Sequence, residues 1–280
     1  MNPYPALLAL LASCLLAVGA LGAAVARLRR RRLLLERRVE QSARELDRLQ
    51  RAFARFVPAE LVERIATEGQ LAGGERREVT VLFADLRDFT QLSERLDPAV
   101  VLDVLNGYFL AMSAAIRSHH GHVTRLMGDG IMSVFGALER NPWHVQDAVE
   151  AALEMRASLA RYNESLRTRG LPALSFGVGV HCGAVIAGLV GSEEMQEFTV
   201  LGDVVNVASR VEALTRRLGG DILVTREVRG VLGDRFQMTE MPPADIKGKS
   251  LPVHTWAIGE PRLTWEAGSP RSAEPRPATA

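Results

Sequence analysis

The stretch VTVLFADLRDFT, residues 79–90, decides how this chain is read. Val79 to Ala84 is a short β-branched and aromatic run of the kind that forms a buried strand. It ends in a carboxylate, Asp85, and three residues later Asp88-Phe89-Thr90 opens a helical pattern. A strand that ends in Asp beside a helix start brings a negative charge and free backbone N–H groups to one place.

Working outward, apolar runs predict strands near 78–84, 121–127, 130–135, 174–182, 184–190, 221–224, 235–239 and 253–257. Helical periodicity covers 98–118, 143–168 and 203–217. Gly128-Asp129-Gly130 lies between two strand runs and reads as a hairpin. The order strand–helix–hairpin–helix–strand is the ferredoxin-like split βαβ arrangement, an α+β sheet with helices on one face, assigned to residues 74–259. In that topology the first strand lies beside the hairpin, so Asp85 and Asp129 converge at one sheet edge. A lone Asp in a turn is ordinarily a turn residue. Two converging carboxylates suit Mg²⁺ or Mn²⁺ completed by substrate phosphates, with the Phe89-Thr90 helix start as an adjoining anion site.

The N-terminal part reads differently. Residues 6–26 carry no charge and are followed at once by RLRRRR, so residues 1–30 form an expected transmembrane anchor with its juxtamembrane basic cluster. Positive charge after the span puts the following domain in the cytoplasm, on the inner face of the plasma membrane. The competing signal peptide would carry its charge before the apolar run. In 31–73, Leu35, Val39, Ser42, Leu46, Leu49, Phe53 and Phe56 alternate steps of four and three, a heptad seam or one face of an amphipathic helix. Residues 260–280, rich in Pro, Ala, Ser and Arg, have the composition of a disordered tail.

The 280 residues carry a formal net charge of +1, which gives no electrostatic footprint for nucleic acid. Cys14 and Cys182, far apart, do not make a disulfide framework. Lys247 and Lys249 are the only lysines among 34 basic residues, and both stand in IKGKS. An ammonium kept amid such an arginine bias points to a phosphate site, where Arg and Lys are not interchangeable. His119, His120 and His122 read as a surface turn, and His181 with Cys182 as strand core. The glycines of 183–191 lack a dinucleotide loop's strand–turn–helix setting.

Five blocks in order, VTVLFADLRDFTQLSE, RLMGDGIMSVFG, GVGVHCGAVIAGLVGS, FTVLGDVVNVASRVEAL and IKGKSLPVHTWAI, resemble the motif set of class III nucleotidyl (adenylate and guanylate) cyclases over about residues 74–259. The resemblance implies two catalytic Mg²⁺ or Mn²⁺ ions per site on Asp85 and Asp129, with the Leu86 carbonyl assisting. It implies that Asn206 and Arg210 orient the ribose and stabilise the transition state. Lys247, with Lys249 as fallback, would hold the terminal phosphates, and Arg125 and Thr199 would read the base. It further implies a homodimer whose sites are shared between chains, converting ATP to 3′,5′-cyclic AMP and pyrophosphate.

Two positions depart from the family pattern. Arg125 stands where adenylate cyclases usually carry Lys, and Asp88 where Gly is usual. Asp88 is expected to cap the helix that follows. A guanylate cyclase and a catalytically silent dimerising or nucleotide-binding domain remain the alternatives. An RNA-binding module of the same topology would need stacking aromatics on its central strands, and 174–182 offers only Phe176.

Overall fold

The computed structural model describes residues 29–48, 74–192, 196–247 and 251–261. The chain divides into two units, Met1–Val62 and Glu63–Ala280. In the first, residues 29–48 are helical, with i,i+4 ion pairs Arg32–Glu36 at 2.8 Å and Arg44–Glu40 at 2.5 Å. Leu35, Val39 and Leu46 of the expected seam are exposed on it. The remaining seam positions, Leu49, Phe53 and Phe56, and the expected membrane span at 6–26 lie outside the described residues.

The second unit is built on one sheet of β1 (Glu75–Leu86), β2 (Gly121–Met127), β3 (Gly130–Phe135), β4 (Phe176–Gly191), β5 (Gln196–Leu201), β6 (Ile222–Thr225), β7 (Phe236–Glu240) and β8 (Thr255–Pro261). Its order is β2-β3-β1-β4-β6-β8-β7, with β5 paired to β4. The helices, numbered within this unit, are α1 (Phe89–Ser93), α2 (Pro98–Ser118), α3 (His144–Thr168), α4 (Asp203–Leu218) and α5 (Arg226–Leu232). The α+β class and the split βαβ order hold, with β1 antiparallel to β3 on one side and to β4 on the other.

Alternation along β1 sorts its side chains between two cores. Leu82, Ala84 and Leu86 join α2 and α3 in the larger cluster, with Val178 and Val180 of β4. Val79 and Val81 point the other way, to Val204 and Ala208 of α4. The helices therefore do not share one face as expected. α1, α2, α3 and α5 contribute to the core on one side, and α4 covers the other. Gly177 and Gly179 make this possible: a Cβ at Gly177 would run into Thr215 and Glu212, and one at Gly179 into the α4 backbone. With no side chains there, helix and sheet approach closely.

Three more local features differ from expectation. The two strands read at 174–182 and 184–190 are one continuous β4 of 16 residues. Strand β5 and the short helix α5 were not legible as elements, whereas the helix start expected at Phe89-Thr90 is α1. Among the described residues one helix, α2, is long and apolar enough to cross a bilayer. It instead starts on an Asp97 cap that accepts from the Ala99 N–H at 2.9 Å, and buries Val104, Tyr108, Met112, Ala115 and Ile116 against the sheet.

Candidate active site

Asp85 ends β1 on the face that α4 covers, in line with Val79, Val81 and Phe83. The β1–β3 register pairs Ala84 with Ile131, which sets the hairpin turn opposite Asp85. A Cβ on Gly130 would lie 3.2 Å from Asp85 Oδ1, so glycine lets the turn come this close. Asp129 precedes it, and burial followed by the Asp85 charge raises the Asp129 carboxyl above its ordinary value. The two carboxylates thus converge, and the Asp85 charge adds to the burial of Asp129 in opposing its ionisation.

A cation already stands between the oxygens. Arg216 Nη2, from the last turn of α4, donates to Asp85 Oδ2 at 2.8 Å and to the Leu86 carbonyl at 3.0 Å. Glu212, one turn earlier, is pushed up to about 7 by burial first and then by the Asp85 charge. Its Oε1 is buried and has no hydrogen-bond partner. Arg87 donates to the Gly220 carbonyl at 2.7 Å. Below the site, the fully buried Tyr108 has a hydroxyl without a partner, and burial and the Asp85 and Asp129 charges raise its phenol.

The donor set fits a hard divalent cation. Two carboxylates and a carbonyl provide oxygen ligands, and a positive group bridges two of those oxygens. Among the described residues no cluster of three or more His, Cys, Asp or Glu side chains forms a cage. A cation held here would therefore complete its shell with water or phosphate oxygens, the habit of Mg²⁺.

The other expected residues fall into two groups. Asn206 is exposed and Arg210 half-buried in the first half of α4. Ile246 packs with Val207 and Val211, so the exposed Lys247 that follows it sits beside the same half of that helix. Lys249 lies outside the described residues. Asn206 precedes Arg216 by ten residues, about 15 Å along the axis at ~1.5 Å per residue. Within one chain, Asn206 is not brought to Asp85.

Arg125 on β2 is brought to β5, but to a residue the sequence reading missed. Its Nε and Nη2 donate to the two carboxylate oxygens of Glu197, at 3.1 and 2.6 Å. Glu197 and Thr199 are two apart on one strand and so share a face. That spacing was the available signal, but β5 had not been recognised as a strand. Arg216 gave no signal of its own, because Arg216-Arg217 reads as charge complementing a helix C-terminus.

Asp88 does not cap α1. It is left-handed at φ 55, and its side chain makes no capping hydrogen bond, while its carbonyl accepts from the Leu92 N–H at 3.1 Å. This backbone state is cheapest for glycine and tolerated by Asp, which accounts for the departure at this position. Phe89 is buried and Thr90 exposed at the start of α1, only five residues long. His119 lies near Glu150 at 3.5 Å, and His181 bonds Thr225 at 2.8 Å within the sheet.

A split βαβ sheet with paired acidic residues at the end of its first strand and in the neighbouring hairpin defines a nucleotide-cyclase type of domain. The chain belongs to the family of adenylate and guanylate cyclase catalytic domains, whose model matches residues 73–260. It is 32% identical over 222 residues to adenylate cyclase 1 of Rhizobium meliloti (strain 1021), covering 78% of this chain and 33% of that protein. The guanylyl cyclase Cya2 superposes with a TM-score of 0.63 at 36% identity, over 68% of this chain and 98% of that one. The adenylyl cyclase CyaB from P. aeruginosa gives 0.64 at 27% identity, over 69% and 98%. The chain spans about a third of the length of the curated relatives it matches first.

Proposed function

We propose that this chain is an adenylate cyclase, forming 3′,5′-cyclic AMP and pyrophosphate from ATP in a homodimer with shared sites. The observation that carries this reading is that one positive group bridges Asp85 and the Leu86 carbonyl, beside the hairpin turn that carries Asp129. The distance along α4 supports the shared sites. Asn206 lies about 15 Å along the helix from Arg216, which meets its own chain's Asp85, and with Arg210 it is read as serving a partner's carboxylates. Exposed Ile186 and Val190 on β4 and Leu201 on β5 offer apolar surface for such a partner.

Cyclisation requires the ribose 3′-hydroxyl to attack the α-phosphorus while pyrophosphate departs. Asp85, Asp129 and the Leu86 carbonyl would hold two Mg²⁺ or Mn²⁺ ions, which when bound acidify that hydroxyl and neutralise the triphosphate. From the partner chain, Asn206 orients the ribose and Arg210 meets the charge that develops on the reacting phosphate. Lys247 grips the terminal phosphates as a compact charge. The backbone N–H groups at Phe89 and Thr90 face the phosphates, and Arg125 and Thr199 read the base. Residues 6–26 anchor the chain in the inner membrane with the catalytic unit cytoplasmic, and the Leu35–Val39–Leu46 stripe pairs two linkers.

Glu197 favours a second reading, guanylate cyclase. Guanine offers N1–H and N2–H donors, and a carboxylate beside Arg125 can accept them. The likeness to a guanylyl cyclase at 36% identity points the same way. Incubating the purified full chain with ATP or GTP and Mn²⁺ and identifying the product decides between them. Cyclic AMP as the main product is expected. No cyclic nucleotide from either substrate would leave only the silent-domain reading.

A further inference from the structure

We propose that Arg216 is a displaceable stand-in for the divalent cation. In the metal-free chain its guanidinium holds the Asp85 carboxylate and the Leu86 carbonyl in ligating position, and a metal ion binds by taking its place. The proposal rests on reading Asp85 and Leu86 as metal ligands.

A single nitrogen serves both oxygens. Arg216 Nη2 is 2.8 Å from Asp85 Oδ2 and 3.0 Å from the Leu86 carbonyl, which is how a bridging cation would sit. An arginine in the last turn of a helix ordinarily satisfies its own helix's C-terminal carbonyls. Arg216 instead reaches a strand end 131 residues away in sequence.

The surrounding charges explain why something positive is needed there. The hairpin turn that carries Asp129 comes against Asp85, with a Cβ at Gly130 only 3.2 Å from its Oδ1, and Glu212 stands one turn before Arg216 on the same helix. Arg87, the other cation near Glu212, is committed to the Gly220 carbonyl at 2.7 Å. In the metal-free chain Arg216 supplies the positive charge that these carboxylates otherwise lack.

The same contact is weak enough to yield. The Arg216 side chain is 45% exposed and that of Asp85 33%, so the pair is screened by solvent. Ion pairs this open contribute little to stability. A divalent ion meeting two carboxylates gains more than that, so the guanidinium holds the site open without sealing it.

The test is nucleotide-free Mn²⁺ binding to the purified full chain in detergent, read from the EPR signal of the free aqueous ion. Removing the competitor in Arg216→Gln should tighten Mn²⁺ binding by about three- to tenfold, the loss of a weak ion pair plus one repelling charge. Arg216→Lys keeps the charge and should stay within about twofold of the wild type. Equal or weaker binding in Arg216→Gln, while the wild type binds, overturns the stand-in role and leaves the metal-ligand reading intact. Wild-type binding that is absent, or unchanged by Asp85→Asn, overturns both. A second measurement needs no disruptive variant. The wild-type Arg216 side-chain ¹⁵N resonance, assigned by its loss in Arg216→Lys, should shift when Mg²⁺ is added. A resonance that does not move at saturating Mg²⁺ also overturns the proposal.

Discussion

Arg125 and Glu197 form a two-pronged ion pair, Nε and Nη2 of one against both oxygens of the other, at 3.1 and 2.6 Å. Both side chains are about half exposed, so the pair adds little to stability. Its effect is on direction. Two of the five guanidinium hydrogens are taken, and an acceptor is fixed where a base reader was expected to be purely a donor.

Base choice should therefore respond to Glu197. Glu197→Ala releases Arg125 and removes the acceptor that guanine N1–H and N2–H would use. The ratio of kcat/KM for ATP over GTP should rise by about tenfold, since one good hydrogen-bonded pair carries ~1–3 kcal/mol of discrimination. A ratio that stays level or moves toward GTP would show that Glu197 has no part in reading the base.

The carboxylates can be neutralised one at a time. Asp85→Asn or Asp129→Asn makes a far poorer ligand for a hard cation. Several kcal/mol of transition-state stabilisation is at stake, so turnover should fall by about three orders of magnitude. Circular dichroism should be unchanged. Full turnover at saturating Mn²⁺ in either variant would remove that residue from the site.

Sharing of sites is tested by mixing. Asp85→Asn and Asn206→Ala chains should each be inactive alone. Random exchange between them rebuilds one intact site per mixed dimer, so activity should return to about a quarter of the wild-type level. Mixed dimers demonstrated by cross-linking, yet still inactive, would mean that each chain completes its own site.

The seating of α4 on the sheet depends on Gly179. Gly179→Ala puts a methyl into the helix backbone. Overpacking of this kind costs about 1–3 kcal/mol, which lowers Tm by roughly 2–10 °C for a domain of this size. A calorimetric Tm within a degree of the wild type would mean the helix rides higher on the sheet than described.

Cys182 should be inert in the folded chain. Burial pushes its thiol up to about 12, with the Glu227 and Glu78 charges adding to the shift. In a Cys14→Ser background, alkylation at pH 8 should be slower by about two orders of magnitude than after unfolding in urea, because the thiolate is the reactive form. Equal rates in the two states would place the thiol at the surface.

Sequence alone reached as far as local pattern reaches. The end of β1 beside Asp85, the hairpin carrying Asp129 and the long helix Pro98–Ser118 follow from alternation, turn residues and helical periodicity read within a few positions. Arg216 and Glu197 escaped because their meaning lies in partners 131 and 72 residues away. Nothing local distinguishes them from other surface charges. The side of the sheet taken by α4 was hidden for a related reason. Gly177 and Gly179 read as ordinary strand glycines until a helix is laid across them.

The central position of β1 makes the two acidic residues unequal in compliance. Asp85 is the last residue but one of a strand paired with β3 as far as Ala84 and with β4 through Asp85 and Leu86. Its backbone is fixed by that sheet pairing. Asp129 rides on a tight turn whose Gly128 has φ 64 and open space around it. On the proposed reading that both carboxylates hold the ion, exchange of ions of different radius would be taken up by the hairpin, with Asp85 as the fixed jaw. Tolerance for ionic size would then be a property of the β2–β3 turn, and stiffening that turn should narrow the range of cations that support turnover.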